Sequence, residues 1–315
     1  MDFELSADQQ LLLTSLRTLL QPFRSPPIGA HGYVQYSEAL QTELAASGFL
    51  EVASQPGYGL LDAALIVEEI ASCPVSVEAA ASALVAPLAN QAASPMAIAW
   101  ALDVPVRFLT VAKTVCLLRQ GSWFIGSPDA KNVRQVESVV AYPLATLGAA
   151  PSDAVIVTGS TAEAITRRAL IGIAVESAGL MRGALEQTVQ YAKDREVFRQ
   201  KLAQFQAVQH RLAEDAQLIH ACRSLAFRAA YQDDDKSARV ACLYAQNAMR
   251  KVIYDCHQFT GALGLTLEYP LHLWTYRLKY LQGEGGGKAE HAQRLAESVW
   301  ELPNRMEPQR RTKRC

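Results

Sequence analysis

Few side chains in this sequence are arranged for familiar catalysis. No Gly-x-Ser-x-Gly or His-Glu-x-x-His pattern occurs, and the six histidines show no ligand spacing with a nearby carboxylate. His210 and His220 stand ten apart, on roughly opposite sides of one expected helix, so structural roles are expected for the histidines. The six cysteines (Cys73, Cys116, Cys222, Cys242, Cys256 and Cys315) include no Cys-x-x-Cys pair, which argues against a zinc site or a disulfide frame and leads us to expect no metal. The carboxylates are more suggestive. Glu176 lies between apolar Val175 and Ala178 on an expected helix, as an ion-pair partner for an arginine such as Arg168 or as a displaced acid. Glu284 stands in Gly283-Glu-Gly-Gly-Gly287, the most permissive backbone of the chain, suited to a loop that approaches a ligand or simply ends a helix. Two longer segments are more specific still: residues 191–210, with Arg195 and Phe198, and residues 258–272, with Gln258, Gly261 and Gly264.

These residues need a scaffold, and 315 residues suffice for two or three packed units. Hydrophobic residues make up 50% and charged residues 19%, which excludes a wholly disordered or collagen-like chain. Thirty Lys plus Arg against 31 Asp plus Glu leave a net charge of -1, so no bulk positive field holds nucleic acid or an anionic membrane. Recognition must rest on shape and local sites. The start, Met1-Asp-Phe-Glu4, lacks a basic and then apolar leader, and the most apolar stretch, 79–106, is broken by Pro87, Asn90, Gln91, Pro95 and Asp103. A cytoplasmic protein without a membrane span is expected.

Ser6 and Gln9 have the spacing of a capping box ahead of Leu12, Leu16, Leu19 and Phe23 at helical period. Further helices are expected over about 37–47, stopped by Gly48, and 60–71, stopped by Pro74, with more helix in the alanine-rich 75–90. The pattern then changes. Short β-branched or aromatic runs at 104–111, 114–118, 123–125, 133–142 and 154–157, punctuated by glycine and proline, predict a small β unit. From 161 to 299 the helical period returns in long segments, broken near 199–203, 233–235 and 283–287, which predicts a four-helix bundle. The expected fold is α+β, mostly α. It has an N-terminal helical domain (1–95), a reduced β domain (96–160), a C-terminal bundle (161–302) and a basic tail (303–315) that reads as a solvated end. With no βαβ alternation and no Gly-x-Gly-x-x-Gly after a strand, a Rossmann fold is not expected.

The two specific segments together resemble the acyl-CoA dehydrogenase flavoprotein family. There, an Arg followed three residues later by Phe precedes a Phe-Gln-Ala-Val-Gln helix start, here Phe205-Gln-Ala-Val-Gln209. A Gln-x-x-Gly-Gly-x-Gly stretch then leads to Thr-x-Glu, here Gln258-Phe-Thr-Gly-Ala-Leu-Gly264 and Thr266-Leu-Glu268. The likeness extends to the Asp2-Phe-Glu-Leu-Ser6 opening and the Glu68-Glu69 helix, and the order helical, β, helical is that family's. It implies that Arg195, Phe198, Gln258, Gly261 and Gly264 reach the adenosine and pyrophosphate part of an FAD bound mainly by a neighbouring subunit. Arg195 would be the cation, and the glycines would let backbone approach the phosphates. Without the resemblance, Arg195 pairs with Asp194 or Glu196 on a solvated helix end. The departures are Arg199 for a glycine, Lys201 for the usual proline and Ala262 for the second glycine. No Thr-Glu-Pro followed by Gly-Ser-Asp is found, the segment that hydrogen-bonds the flavin ring in relatives, so the subunit's own flavin cradle is expected to be missing.

In this family a carboxylate removes the α proton of an acyl-CoA thioester while the β hydrogen leaves as hydride. At the first of two family positions for that base this chain has Ala169; at the second, counting lands on Gly285, with Glu284 just before it. A one-residue deletion would make Glu284-Gly285-Gly286 the family's Glu-Gly-Thr. Glu284 is thus the candidate base, the alternative being an exposed loop carboxylate that four glycines leave without packing. The resemblance implies FAD-dependent dehydrogenation of an acyl-CoA thioester by one half of a heterotetramer with a full-length relative. Such two-gene enzymes act on bulky thioesters, including those of steroid side chains and rings. Two rivals stand beside this reading: a homo-oligomeric enzyme with a remodelled site, and a non-catalytic structural partner.

Overall fold

A computed structural model describes residues 4–26, 33–89, 92–137 and 139–300, and it has the expected α+β, mostly α architecture. The expected basic tail lies outside the described residues. Helix α1 (Ala7–Leu20) starts in the capping box read from the sequence: Gln9 N donates to Ser6 Oγ at 3.2 Å, and Ser6 N donates back to Gln9 Oε1 at 3.1 Å. Helix α2 (Glu38–Ala46) is capped by the Ser37 hydroxyl and followed by Gly48, and α3 (Leu60–Ala71) is buried along nearly its whole length. The alanine-rich stretch after Pro74 forms only a π-helical turn, Ala81–Val85, and a 3-10 turn, Ala86–Leu88. Pro87 cannot extend a helix. The buried Glu78 carboxylate organises this turn, accepting from Ala81 N at 2.8 Å and from Met96 N at 3.0 Å.

Seven short strands follow, in two sheets. The first has the order β1-β3-β4-β7, from β1 (Met96–Ala99), β3 (Thr114–Arg119), β4 (Ser122–Gly126) and β7 (Val155–Val157); the second has the order β2-β6-β5, from β2 (Pro105–Arg107), β6 (Leu144–Leu147) and β5 (Val133–Val136). Strands β1 and β3 run parallel, with Met96 opposite Thr114, and the other pairs are antiparallel. Alternation along the strands makes two layers from one sheet. Ala97, Ala99, Val115 and Leu117 face Val106, Ala145 and Leu147 of the second sheet, whereas Met96, Cys116, Trp123 and Ile125 face Ala162, Ile165 and Ala169 on the first long helix. The Trp123 indole N–H secures that contact, donating to Ala162 O at 3.1 Å.

That helix, α4 (Gly159–Asp194), runs through the centre of the molecule, packed by α3, α5 (Gln206–Gln232), α6 (Asp235–Thr260) and α7 (His272–Leu281), with α8 (Gly287–Val299) against α6. Between α4 and α5 a hairpin of β8 (Glu196–Val197) and β9 (Gln200–Lys201) occupies the break expected there. Among the described residues, no helix is long and apolar enough to cross a membrane.

Candidate functional site

The residues singled out in the sequence fall at two places. At one end of the bundle, Gln258 and Gly261 line a groove of about 900 Å³ with Arg250, Tyr254, Tyr276 and Lys279. Helix α6 breaks there because Gly261 adopts φ +61 and ψ -146, a conformation open to glycine, and the chain turns into a 3-10 segment. Gly264 has a different part. It is buried, and the place of its missing Cβ is taken by the Thr260 side chain, so it serves packing inside the turn rather than an approach from outside.

Arg195 and Phe198 sit on the β8–β9 hairpin. Phe198 (φ +51) and Arg199 (φ +68) form its two-residue turn, and the Phe198 side chain is 93% exposed. Arg195 is exposed, and the two acids beside it are engaged elsewhere: Glu196 pairs with Lys201 Nζ at 2.7 Å, and Asp194 accepts from Gln190 Nε2 at 2.9 Å. Neither Arg195 nor Phe198 lines the groove, but both lie at the same end of the bundle. The Tyr191 ring meets Tyr269, in the loop before α7, at 5.4 Å, and the Arg211 guanidinium lies 5.0 Å from the Phe259 ring on α6.

On the groove's wall, Lys251 Nζ reaches Asp255 at 2.7 Å, Asp215 at 3.0 Å and Glu214 at 3.2 Å, while Arg211 pairs with Asp255. Burial pushes the Asp215 carboxyl up to about 6 although Lys251 pulls it down, and its Oδ2 has no hydrogen-bond partner. Three carboxylates on one lysine tie α5 to α6 and leave Lys251 little freedom to serve a ligand. The exposed Arg250 and Lys279 are the cations with room to do so.

The second place is the cleft between the β unit and α4. Here the structure corrects two expectations. Glu284 is not an exposed loop carboxylate; it is 7% exposed, and Arg107 Nε donates to its Oε1 at 3.0 Å and Oε2 at 2.9 Å. Glu176 is an ion-pair partner, but its arginine is Arg107, whose Nη1 lies 2.7 Å from Oε2, while Tyr142 Oη donates to Oε1 at 2.6 Å. Arg168 instead joins Arg167 on Asp233. Burial raises the Glu284 carboxyl and Arg107 offsets part of that; burial opposes the Arg107 charge, yet Glu176 and Glu284 hold it well above its usual value. The glycine loop is packed after all. Gln246 Nε2 donates to Leu281 O and to Glu284 O at 2.9 Å each, and Gly285 (φ +69) lies where a Cβ would stand 3.0 Å from Leu170 and 3.1 Å from Ile173. Arg107, Tyr142 and Gln246 escaped the sequence reading. The local signal for Arg107 is the alternation of β2, which sends Val106 into the core between the sheets and Arg107 to the opposite side.

A flavin ring has no place in this cleft. The space left among Ile98, Trp100, Arg107, Ala169, Ile173 and Glu284 is about 10 Å³, no more than about one water-sized probe sphere. The open groove at the bundle end, with its glycine turn, two tyrosines and two free-standing cations, does fit the nucleotide half of a dinucleotide.

Residues 163–300 match the family model described as acyl-CoA dehydrogenase, C-terminal domain. Among curated proteins, acyl-CoA dehydrogenase IpdE2 from Mycobacterium tuberculosis is 31% identical over 139 residues, 44% of this chain and 44% of that protein. The match therefore covers less than half the length of that relative. Among solved structures, the ChsE4-ChsE5 complex from Mycobacterium tuberculosis superposes with a TM-score of 0.79 at 18% identity, covering 96% of this chain and 100% of that one. The Tcur3481-Tcur3483 steroid ACAD gives 0.76 at 23% identity, covering 93% and 98%. At such identities these likenesses speak for the fold.

Proposed function

We propose that the chain, whose residues 163–300 match the C-terminal domain of the acyl-CoA dehydrogenase family, is the partner half of a heteromeric, FAD-dependent acyl-CoA dehydrogenase. One observation carries the reading. The chain keeps an open groove and an exposed hairpin for the nucleotide end of a flavin, while its own cleft has no room for the ring. A chain built this way serves a flavin whose ring lies in another subunit. The second subunit is a full-length relative, and the assembly is a heterotetramer. That two structural neighbours are named as pairs of chains, one of them a steroid ACAD, supports both the pairing and a bulky acyl-CoA thioester as substrate.

Bound across the interface, FAD supplies a hydride acceptor for the β hydrogen of the thioester. This chain's part is to hold and orient it. Arg195 offers a guanidinium to the pyrophosphate, Gln258 an amide to the adenosine, and the turn at Gly261 exposed backbone. Phe198 supplies an apolar cover that is buried on assembly. The base that removes the α proton belongs to the partner.

Arg195→Ala in the co-expressed complex tests the reading. A charge-assisted phosphate contact is worth roughly 1.5–3 kcal/mol, so the dissociation constant for FAD is expected to rise about 10- to 100-fold. Unchanged flavin retention would make the chain a scaffold instead.

A further inference from the structure

We propose that Arg107 is a lock: it keeps this chain's own cleft closed to a flavin ring and an acyl chain, and it withholds Glu284 from proton transfer. The inference deepens the family reading above and rests on it.

Each oxygen of both glutamates is engaged by a donor. Both Glu284 oxygens take the Arg107 Nε hydrogen, at 3.0 and 2.9 Å. Glu176 gives one oxygen to Arg107 and the other to Tyr142, at 2.7 and 2.6 Å. A general base acts through an oxygen within hydrogen-bond reach of the proton it removes. Here no Glu284 oxygen faces space that a substrate could enter, because only about 10 Å³ remains beside it.

The lock is held from several sides. The Arg107 guanidinium lies 5.4 Å from the centre of the Tyr142 ring and 5.7 Å from that of Phe108, two rings that themselves meet edge to face at 5.2 Å, so it rests against an aromatic pair as well as being ion-paired. Strand β2 is fixed to α7 by Tyr280 Oη, which donates to Pro105 O at 2.8 Å. A second buried guanidinium, Arg277, donates to Cys73 O at 2.6 Å and to Val75 O at 3.3 Å, and its charge acts on Glu176 and Tyr142. Two arginines therefore stand near two glutamates, and removing one charge leaves others buried without compensation. Breaking such a pair from one side costs far more than replacing both members by neutral groups.

The test is a cycle of Arg107→Met, Glu284→Gln and both together, made first in this chain alone. Arg107→Met is expected to lower Tm by roughly 5–10 °C, and the double variant to recover at least half of that loss. Arg107→Met as stable as the parent, purely additive effects, or a double variant that recovers nothing would each overturn the lock. If Arg107→Met alone fails to fold, recovery of a folded double variant supports it. The second arm separates a withheld carboxylate from a working base. In the assembled complex Glu284→Gln is expected to keep kcat within about threefold, because a lost general base costs on the order of a hundredfold or more. A hundredfold fall with flavin still bound would show a working base and overturn the proposal. Failure of every full-length relative to form a flavin complex would count against the shared-flavin reading, and the stability cycle in the isolated chain would still decide the lock.

Discussion

Arg107 on β2 and Glu284 in the α7–α8 loop meet across 177 residues of chain, with Nε 3.0 and 2.9 Å from the two carboxylate oxygens. This contact joins the β unit to the bundle where the two would have to part to admit a planar ring. Closing the cleft with a charge pair, rather than with apolar side chains, makes it sensitive to single substitutions: a buried charge that loses its partner is left uncompensated.

Phe198 separates a folding role from an assembly role. Its side chain is 93% exposed and its φ is +51, so Phe198→Gly removes no internal packing and relieves the turn. The isolated chain is expected to keep its Tm or gain slightly. The complex is expected to weaken by at least about tenfold, since burying an aromatic ring is worth roughly 1.5–3 kcal/mol. Titration of the partner subunit, followed by calorimetry, measures this, and an unchanged affinity would remove the hairpin from the interface.

Gln246 holds the glycine loop through two carbonyls, Leu281 O and Glu284 O. Gln246→Leu leaves both buried acceptors without that donor, at about 1–3 kcal/mol each, while removing an Oε1 that has no partner of its own. Urea unfolding is expected to show a net loss of roughly 2–4 kcal/mol. A loss below about 0.5 kcal/mol would mean that Arg107 alone fixes the loop.

The α5–α6 tie carries a pH signature. Asp215 rises from 3.8 to about 6 in the folded chain, chiefly by burial. Between those values the folded state keeps a proton that the unfolded state has released, so this group makes stability fall as pH rises from about 4 to 6, with a constant penalty above. Glu69, Asp233 and Asp255 are lowered and act in the opposite sense at more acid pH. Asp215→Asn is therefore expected to change the slope of stability between pH 4 and 6 toward a steeper rise or a shallower fall. Parallel curves for the two proteins would contradict the assignment.

Local features were legible in the sequence. The Ser6–Gln9 box, the stop at Gly48 and the long helices of the bundle each depend on residues within one or two turns of each other, and α1, α2 and α4–α6 follow them. Strands β1 and β6 were not legible, because Met-Ala-Ile-Ala and Leu-Ala-Thr-Leu carry little β-branching and become strands through pairing with β3 and with β2 and β5. The residues at the bundle end stood out by motif. The closed cleft did not, since an arginine in a three-residue strand carries no sign of a glutamate in a distant glycine loop. The same glycines that suggested a loose loop let it lie flat on α4, with Gly285 against Leu170 and Ile173.

The central claim is that one chain lends a nucleotide site to a flavin whose ring lies in another. Acid-released FAD, counted against chains in the complex purified with a full-length relative, tests it most directly. We predict one FAD for every two chains, and none in this chain purified alone. One FAD per chain, or a flavin-bearing homo-oligomer of this protein that oxidises acyl-CoA unaided, would contradict the account.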